Sequence, residues 1–238
     1  MRECPVCKNV FPTNARTLPF NNGIARIHCL KCDLIYFESA CYPAPSYDWK
    51  YNRLFIRPGD TRKAQFFANN INNLLFEKFE DPRILEIGPG TGLTTELLIK
   101  QGFDVHVCEM DPRTAKYISK MHTCNSHIGR FETIEIKKQF DLIYAGHVIE
   151  HSENPIRFFE KAFSLLKHNG IFYIDTPDTH YAKMHGQSWR HFNTRNLYEH
   201  CSLLGITTVE KLAKLVGFKI TDLTSLPEFE SMQITMRK

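Results

Sequence analysis

The chain has 238 residues, of which 42% are apolar, and it carries a formal net charge of +4 at pH 7. This length and composition suffice for one core-forming domain with a small appendage, and the chain should fold as an ordinary soluble protein. No segment reaches the ~18 apolar residues of a membrane span, and the N-terminus lacks the apolar stretch of a signal peptide, so we expect a cytoplasmic protein without a membrane partner. Its basic residues are scattered among 26 acidic ones, which disfavours a nucleic-acid partner.

Two Cys-x-x-Cys pairs mark the first forty residues. They are Cys4 with Cys7 and Cys29 with Cys32, and 21 residues separate them, close to the ~15 to 20 of the usual Cys4 zinc pattern. Four thiolates at this spacing can bind a metal ion tetrahedrally, and a short segment with a small hydrophobic core needs such a bound metal to fold stably. We therefore predict a zinc ribbon over residues 1–40, with a structural Zn²⁺ ion held by these four cysteines.

Residues 41–60 are rich in proline and are predicted to form a linker, so the larger domain should occupy residues 61–238. Apolar periodicity and turn signals predict an alternation of strands and helices after the ribbon. The predicted strands are 24–28, 34–37, 83–87, 104–108, 124–128, 140–145, 171–175, 218–224 and 232–236. The predicted helices are 61–79, 93–101, one that begins at Asn154-Pro155 and is stopped by Gly170, and one capped by Thr207 with Glu210. The alternation predicts a mainly parallel sheet with helices on both faces and an antiparallel closing pair.

The strand at 83–87 runs directly into Gly88, Gly90 and Gly92, and it carries an acid, Glu86. These glycines remove the Cβ atoms that would block close backbone approach, and the next helix can point its N-terminus at a polar ligand. The spacing is G-x-G-x-G, whereas the dinucleotide fingerprint is G-x-G-x-x-G. Because Glu86 would repel a phosphate, the segment predicts a nucleotide-type cofactor that carries positive charge.

Glu109 follows the next strand, 21 positions after Gly88. An acid is expected ~20 residues after such a glycine loop, where it hydrogen-bonds a ribose. Ligands of open α/β sheets bind beyond the carboxyl ends of the strands, which is where Glu109 lies in the predicted fold.

Two segments of the chain resemble the class I S-adenosylmethionine methyltransferases. Ile84 to Gly92 resembles their motif I, and Phe140 to His151 resembles the "FDxI…vLEH" motif of a small-molecule branch. Asn154-Pro155, Leu165-Leu166-Lys167 and Thr176-Pro177 stand where that branch has "NP", "LLK" and "tP", while Lys167-His168-Asn169-Gly170 departs from its "pGG". The resemblance covers residues 61–238 and implies a Rossmann-like, seven-stranded, mainly parallel sheet with one antiparallel strand.

The resemblance also implies S-adenosylmethionine as cofactor and assigns its contacts. The glycine loop would lie against it, Glu86 would help hold its amino-acid end, Glu109 would bind both ribose hydroxyls and Met110 would pack on the adenine. The family usually has an Asp after the third strand, where this chain has Phe131 and Glu132. Phe131 would stack on the adenine or Glu132 would replace the acid, and the alternative is that either is an ordinary surface-loop residue. The cofactor-binding residues predicted in this way are Glu86, Gly88, Gly90, Gly92, Glu109, Met110, Phe131, Ala145 and Gly146.

Histidines are the candidate catalytic residues. Methyl transfer from a sulfonium is an in-line displacement, in which the protein positions the acceptor and removes its proton where needed. Histidine has an ordinary pKa of ~6.5 and is largely neutral at cellular pH. The candidates are His147, His151 and His191, the last within a polar insertion where Trp189-Arg190-His191-Phe192 resembles the family's "W-x-H-F" element. The alternatives are that His151 caps a turn, that His147 packs under the cofactor, and that the insertion is an ordinary surface loop.

A zinc ribbon ahead of such a domain resembles the sugar C-methyltransferases of nucleotide-linked deoxysugars and related polysaccharide or natural-product enzymes. The expected partner is therefore a small-molecule methyl acceptor. Two alternatives stay open. One is a ribosomal RNA base methyltransferase, since one such family also begins with a Cys4 module, although the ribbon here has only a modest set of basic residues. The other is a zinc-ribbon interaction protein whose domain binds the cofactor without catalysis.

Overall fold

A computed structural model describes residues 3–19, 25–37, 58–76, 78–179 and 200–238. Within these residues the strands are β1 (Ala15–Pro19), β2 (Ala25–Cys29), β3 (Ile35–Phe37), β4 (Arg83–Ile87), β5 (Asp104–Glu109), β6 (Asn125–Ile128), β7 (Phe140–Gly146), β8 (Leu166–Pro177), β9 (Ser202–Leu203), β10 (Lys219–Leu226) and β11 (Ser231–Arg237). The α-helices are α1 (Pro58–Leu75), α2 (Leu93–Lys100), α3 (Pro112–His122), α4 (Pro155–Leu165) and α5 (Ile206–Val216). Short 3-10 helices occupy Ile149–His151 and Pro227–Phe229.

The larger sheet has seven strands in the order β10-β11-β8-β7-β4-β5-β6. Strand β4 runs parallel to both β5 and β7, and β5 runs parallel to β6. Residues Ile84 to Ile87 of β4 are all buried, so both faces of this strand are covered, as expected for a central strand of a parallel sheet. The predicted Rossmann-like sheet of seven strands is confirmed.

A smaller antiparallel sheet has the order β1-β2-β3-β9. The strands predicted on either side of Cys29 are confirmed within a residue of their predicted limits. Strand β9 was not predicted: Ile35 pairs with Leu203, and Tyr36 pairs with Ser202. The sheet of the cysteine-rich segment is therefore completed by a strand from far along the chain.

The chain divides into two compact units. One comprises Met1–Pro45, His147–Glu160 and Ile174–Met236, and the other comprises Ser46–Gly146, Lys161–Tyr173 and Arg237–Lys238. The glycine loop belongs to the second unit, whereas the cysteine pairs and His147 to His151 belong to the first. No helix in the described part of the chain has the length and apolar character needed to cross a membrane. The boundaries predicted at residues 40 and 60 stay a prediction, because residues 38–57 lie outside the described part.

Three local expectations need correction. Helix α3 was missed, although Asp111 accepts a hydrogen bond from the Arg113 N–H at 3.1 Å and Pro112 stands at the first helical position, both of which are helix-start signals. Gly170 does not stop α4, which ends at Leu165; Gly170 lies inside β8.

The third correction concerns the start of α5. The sequence favoured Thr207 as its cap, but Gly205 is the N-cap residue, and its N–H donates to Thr208 Oγ1 at 3.3 Å. Packing favours glycine at position 205, because a Cβ atom there would overlap the Asp33 carboxylate. A tertiary contact therefore decides where this helix begins.

Candidate functional site

The four cysteines of the two pairs converge on one point. Cys4 Sγ lies 3.5 Å from Cys32 Sγ, and Cys7 Sγ lies 3.4 Å from Cys29 Sγ. All four sulfur atoms are within 4.8 Å of one another. Sulfur ligands of a tetrahedral zinc stand about 3.7 Å apart, given a Zn–S bond of about 2.3 Å. The donor set and its spacing thus fit zinc.

Each Cys-x-x-Cys pair is closed by the same turn. The Lys8 N–H donates to the Cys4 carbonyl at 3.0 Å, and the Asp33 N–H donates to the Cys29 carbonyl at 2.8 Å. Lys8 and Asp33 both have left-handed backbone, with φ of 59° and 61°. Two equivalent turns, one from each end of the segment, therefore present the sulfur atoms to a common centre.

The second of these turns is tied to the start of α5. Thr208 Oγ1 donates to the Cys32 carbonyl at 2.6 Å, and the Asp33 carboxylate lies against Gly205. An acid at a helix N-terminus is favourable because of the helix dipole. The cysteine cluster and α5 consequently support each other.

The three glycines of the loop have left-handed backbone. Gly88, Gly90 and Gly92 have φ of 61°, 54° and 80°, a region that other residues rarely adopt. The Gly88 N–H donates to the Cys108 carbonyl at 2.8 Å, which anchors the loop to β5. A Cβ atom at Gly90 would meet nothing within 4 Å, so there is open space beside this backbone for a ligand.

Glu86 is a buried acid next to this loop in the chain, with 3% of its surface exposed. Its carboxylate accepts a hydrogen bond from the Thr95 hydroxyl of α2. Burial raises the pKa of Glu86 to about 7, although the Thr95 hydrogen bond acts in the opposite direction. The acid is therefore poised to ionise when a cationic group approaches it.

Glu109 and Met110 lie where β5 ends. Glu109 is only 6% exposed, and its Oε1 accepts a hydrogen bond from the Asp111 N–H at 2.9 Å. Burial raises the pKa of the Glu109 carboxyl above its ordinary value. Met110 is exposed, whereas Phe131 is buried. The predicted contacts of these residues with a ribose and an adenine stay predictions.

The end of β7 is shaped by a tyrosine that the sequence analysis did not single out. Ala145 is fully buried, and a Cβ atom at Gly146 would overlap the Tyr144 hydroxyl. The Tyr144 ring stacks on Tyr173, with 5.5 Å between the ring centroids, and lies 5.8 Å from the Phe67 ring. A side chain at position 146 would therefore force the Tyr144 ring to shift, which favours glycine there. The available signal was the two-residue spacing, which puts positions 144 and 146 on one face of a strand.

His147 stands between two buried carboxylates. Its Nδ1 is 3.1 Å from Glu150 Oε1 and its Nε2 is 3.0 Å from Asp175 Oδ2, while both acids are fully buried. The His147 N–H donates to the Asp175 carbonyl at 2.7 Å, and its φ is 52°. A left-handed backbone at a histidine is uncommon, and the contacts to the two acids hold it in place. Asp175, at the end of a predicted strand, was missed as a site residue.

The charges of this group follow from the same contacts. Burial disfavours the charged ring, but the two carboxylates outweigh it and raise the pKa of His147 to about 9. Burial also disfavours the Glu150 carboxylate, but the neighbouring His147 lowers the pKa of Glu150 to about 2. At neutral pH the His147 ring is therefore a cation and the Glu150 carboxylate an anion, and the buried Asp175 side chain lies on the other side of the ring.

His151 and His200 complete a second cluster around Glu150. Their ring centroids are 5.1 Å apart with an angle of 76° between the planes. Glu150 Oε2 accepts a hydrogen bond from Thr176 Oγ1 at 3.2 Å, and burial lowers the pKa of His200 to about 4. Of the three predicted catalytic histidines, the structure brings His147 and His151 together around Glu150. His191 lies outside the described residues, as do Trp189 and its neighbours.

Comparison with known proteins identifies the family of the chain. A family model described as a methyltransferase domain matches residues 60–223. A ubiquinone biosynthesis O-methyltransferase of Rhodopseudomonas palustris (strain TIE-1) is 30% identical over 129 residues, which are 51% of this chain and 48% of that protein. The chain thus spans about half the length of the curated relatives that it matches.

Solved structures show the same fold at low sequence identity. The N-methyltransferase NodS from Bradyrhizobium japonicum, solved with S-adenosyl-l-homocysteine, has a TM-score of 0.56 and 13% identity, covering 81% of this chain and 93% of that one. An O-methyltransferase family protein from Burkholderia thailandensis has a TM-score of 0.60 and 10% identity, covering 75% of this chain and 57% of that one.

Proposed function

Because the chain belongs to the methyltransferase-domain family, we propose that it transfers the methyl group of S-adenosylmethionine to a small-molecule acceptor. The observation that carries the proposal is Glu86, a buried acid beside a left-handed glycine loop with open space at Gly90. Such an acid fits a cofactor that brings a positive charge and does not fit a phosphate.

The described residues fit S-adenosylmethionine in three ways. Glu86, whose pKa is raised to about 7, suits the cationic amino group. Glu109 at the end of β5 offers acceptor oxygens to a ribose diol, and Gly90 allows the backbone to approach the cofactor closely. When bound, S-adenosylmethionine supplies a methyl group on a positively charged sulfur atom, which is its own leaving group. Met110, Phe131, Ala145 and Gly146 stay proposed as further cofactor contacts.

The protein's part in the reaction is to position the acceptor and to take its proton where needed. Both ring nitrogens of His147 face carboxylates, so neither is available to receive a proton from an acceptor. We assign His147 the role of holding the segment that follows β7. His151 and His191 are then the candidate proton acceptors among the three predicted histidines.

The acceptor is proposed to be a small molecule, with an oxygen atom as the favoured site of methylation. The support is the family match together with the similarity to curated relatives that are named as O-methyltransferases of ubiquinone biosynthesis. A nucleotide-linked sugar or a polysaccharide or natural-product precursor stays the specific prediction from the sequence. We further propose that Cys4, Cys7, Cys29 and Cys32 hold a structural zinc ion, on the basis of their convergent sulfur atoms.

The first experiment combines binding and product analysis. Calorimetry with S-adenosylmethionine should show saturable binding, and methyl-labelled cofactor incubated with cell extract should put label into the small-molecule fraction. Label in ribosomal RNA would instead support the base-methylation alternative, and tight binding without any labelled product would support the interaction protein.

The second experiment addresses the histidines. Changing His151 and His191 singly to Ala should reduce turnover about 10²-fold in at least one case, with cofactor binding retained. His168, which is exposed, provides a control whose change to Ala should leave turnover unaltered. Wild-type turnover in both test variants would refute the assignment of a histidine base.

A further inference from the structure

Glu150, His151 and His200 bring three metal-binding side chains together outside the cysteine cluster. One ligand atom of each lies within 4.8 Å of the other two. The ring centroids of the two histidines are 5.1 Å apart. Two imidazoles on one tetrahedral zinc ion have centroids about 5 Å apart, given Zn–N bonds of about 2.0 to 2.1 Å. The two rings already have the separation that a shared ion requires.

The carboxylate of this group has a coordination position to offer. Glu150 is fully buried, and its Oε2 accepts a hydrogen bond from Thr176 Oγ1. Within the described residues Oε1 accepts no hydrogen bond, although His147 Nδ1 lies 3.1 Å away. The His147 cation compensates part of the charge on Oε1 without a well-formed hydrogen bond, and a bound metal ion would compensate the rest.

The surrounding charges do not exclude a cation. Asp175 is a second fully buried acid beside His147, so the positive charge of His147 faces an acidic side chain at each of its ring nitrogens. The other nearby cation is Arg26, which donates to the His200 carbonyl at 3.2 Å and lies 4.6 Å above the Phe37 ring. Arg26 therefore fixes the backbone of His200, and its guanidinium also contacts the Phe37 ring.

We propose that Glu150, His151 and His200 form a second metal site, which binds a divalent transition-metal ion such as zinc. Two imidazoles and one carboxylate suit zinc and its neighbours rather than calcium or magnesium. Three protein ligands leave the fourth position to a water or to an oxygen atom of a bound molecule, as in catalytic zinc sites. His151 is then a ligand instead of a proton acceptor. One consequence rests on the proposed function: an acceptor oxygen in the fourth position would lose its proton more easily.

Zinc content tests the site without the cofactor. The full chain is saturated with zinc and dialysed, and the bound metal is measured by mass spectrometry for the wild type, His200→Ala, His151→Asn and the exposed control His168→Ala. We expect the wild type and the control to hold about one zinc ion more per chain than either ligand variant. Because the result is a difference between variants, it depends neither on the occupancy of the cysteine cluster nor on methyl transfer.

Cobalt separates the two sites and reports on folding. Cobalt bound by thiolates has a charge-transfer absorption that nitrogen and oxygen ligands do not produce. His200→Ala should keep this absorption and lose only the signal of the second ion. If His200→Ala loses the thiolate absorption as well, that variant is misfolded. The metal content of His151→Asn then tests the second site, because the His151 side chain is partly exposed and its replacement disturbs the fold less. Equal metal content in the wild type and His151→Asn overturns the proposal.

Discussion

Glu86 and Glu150 are two fully enclosed glutamates with opposite electrostatic surroundings. Glu86 receives a hydrogen bond from a neutral hydroxyl, and burial raises its pKa to about 7. Glu150 is just as buried, but the neighbouring His147 lowers its pKa to about 2. Burial alone therefore does not decide whether an acid is charged; the partner that shares its site does.

This difference separates two kinds of site. The region of Glu86 lacks a cation among its described contacts, which suits an acid whose partner arrives with a ligand. The region of Glu150 carries its own cation in His147, which suits a group that is held ready in the absence of a ligand. Single substitutions in each region test whether the two differ in this way.

Removing the cation of the Glu150 region should cause the largest change. His147→Asn removes the imidazolium that stands between the fully buried Glu150 and Asp175 side chains. Breaking a fully buried ion pair by removing one partner costs about 3 to 5 kcal/mol, and because the His147 side chain is 36% exposed we expect a loss at the lower end of this range. Asparagine tolerates the left-handed backbone of position 147. Urea unfolding at pH 8 without added metal should show this loss, while His168→Asn should unfold like the wild type. An unchanged midpoint would mean that His147 does not hold the two acids.

Glu86→Gln should raise the free energy of unfolding, whereas His147→Asn should lower it. The pKa of Glu86 in the folded chain, about 7, lies above the ordinary 4.5, so folding favours the protonated acid. Its stabilising contribution is fully present below pH 4.5 and is lost as the pH rises through 7. Replacing the acid by a neutral amide should therefore stabilise the unliganded chain at pH 8 by about 3 kcal/mol and change little at pH 4.5.

The control for this stability measurement is Glu153→Gln, which removes an exposed acid. If Glu86→Gln destabilises the chain at pH 8, then Glu86 is ionised in the unliganded protein and has a cationic partner of its own. In that case the two regions would not differ as described above.

Cofactor binding should depend on pH because it needs the charged form of Glu86. As the pH rises from 5.5 to 7, the ionised fraction of an acid with a pKa of about 7 grows, and the dissociation constant of S-adenosylmethionine should fall about tenfold. Calorimetry at several pH values measures this change. Glu86→Gln should bind weakly at every pH, and a variant that binds as well as the wild type would exclude Glu86 from the amino-group contact.

Much of the glycine-loop region could be predicted from the sequence because its signals are local. The strand, the three glycines with positive φ and the acid within the strand all lie between Arg83 and Gly92, where each residue's conformation follows from its own chemistry and that of its neighbours. The convergence of the four cysteines was likewise predictable from the spacing of the two Cys-x-x-Cys pairs. Each pair is a local turn, and the left-handed residue Lys8 that follows the first pair has its equivalent in Asp33 after the second.

Only part of the histidine-rich region could be predicted, because some of the residues that contact one another there are distant in sequence. His147 and Glu150 are three residues apart, but Asp175 and His200 come from other segments, and only the fold brings them to the same place. The same holds for β9, which pairs with β3 across more than half of the chain. A pattern within one segment does not report such contacts.

The smallest expected effect comes from Thr95, the neutral partner of Glu86. Its hydroxyl donates to the Glu86 carboxylate and so lowers the pKa of that acid, against the larger effect of burial. Thr95→Val keeps the shape of this buried side chain but removes the donor, which should raise the pKa of Glu86 by about 1 pH unit. The pH at which cofactor affinity is half-maximal should rise by the same amount, with affinity at high pH nearly unchanged. Ser164→Ala, at an exposed position on α4, should leave the profile where it is. If Thr95→Val behaves like this control, the hydroxyl does not lower the pKa of Glu86. Burial alone then sets this pKa and with it the pH dependence of cofactor binding.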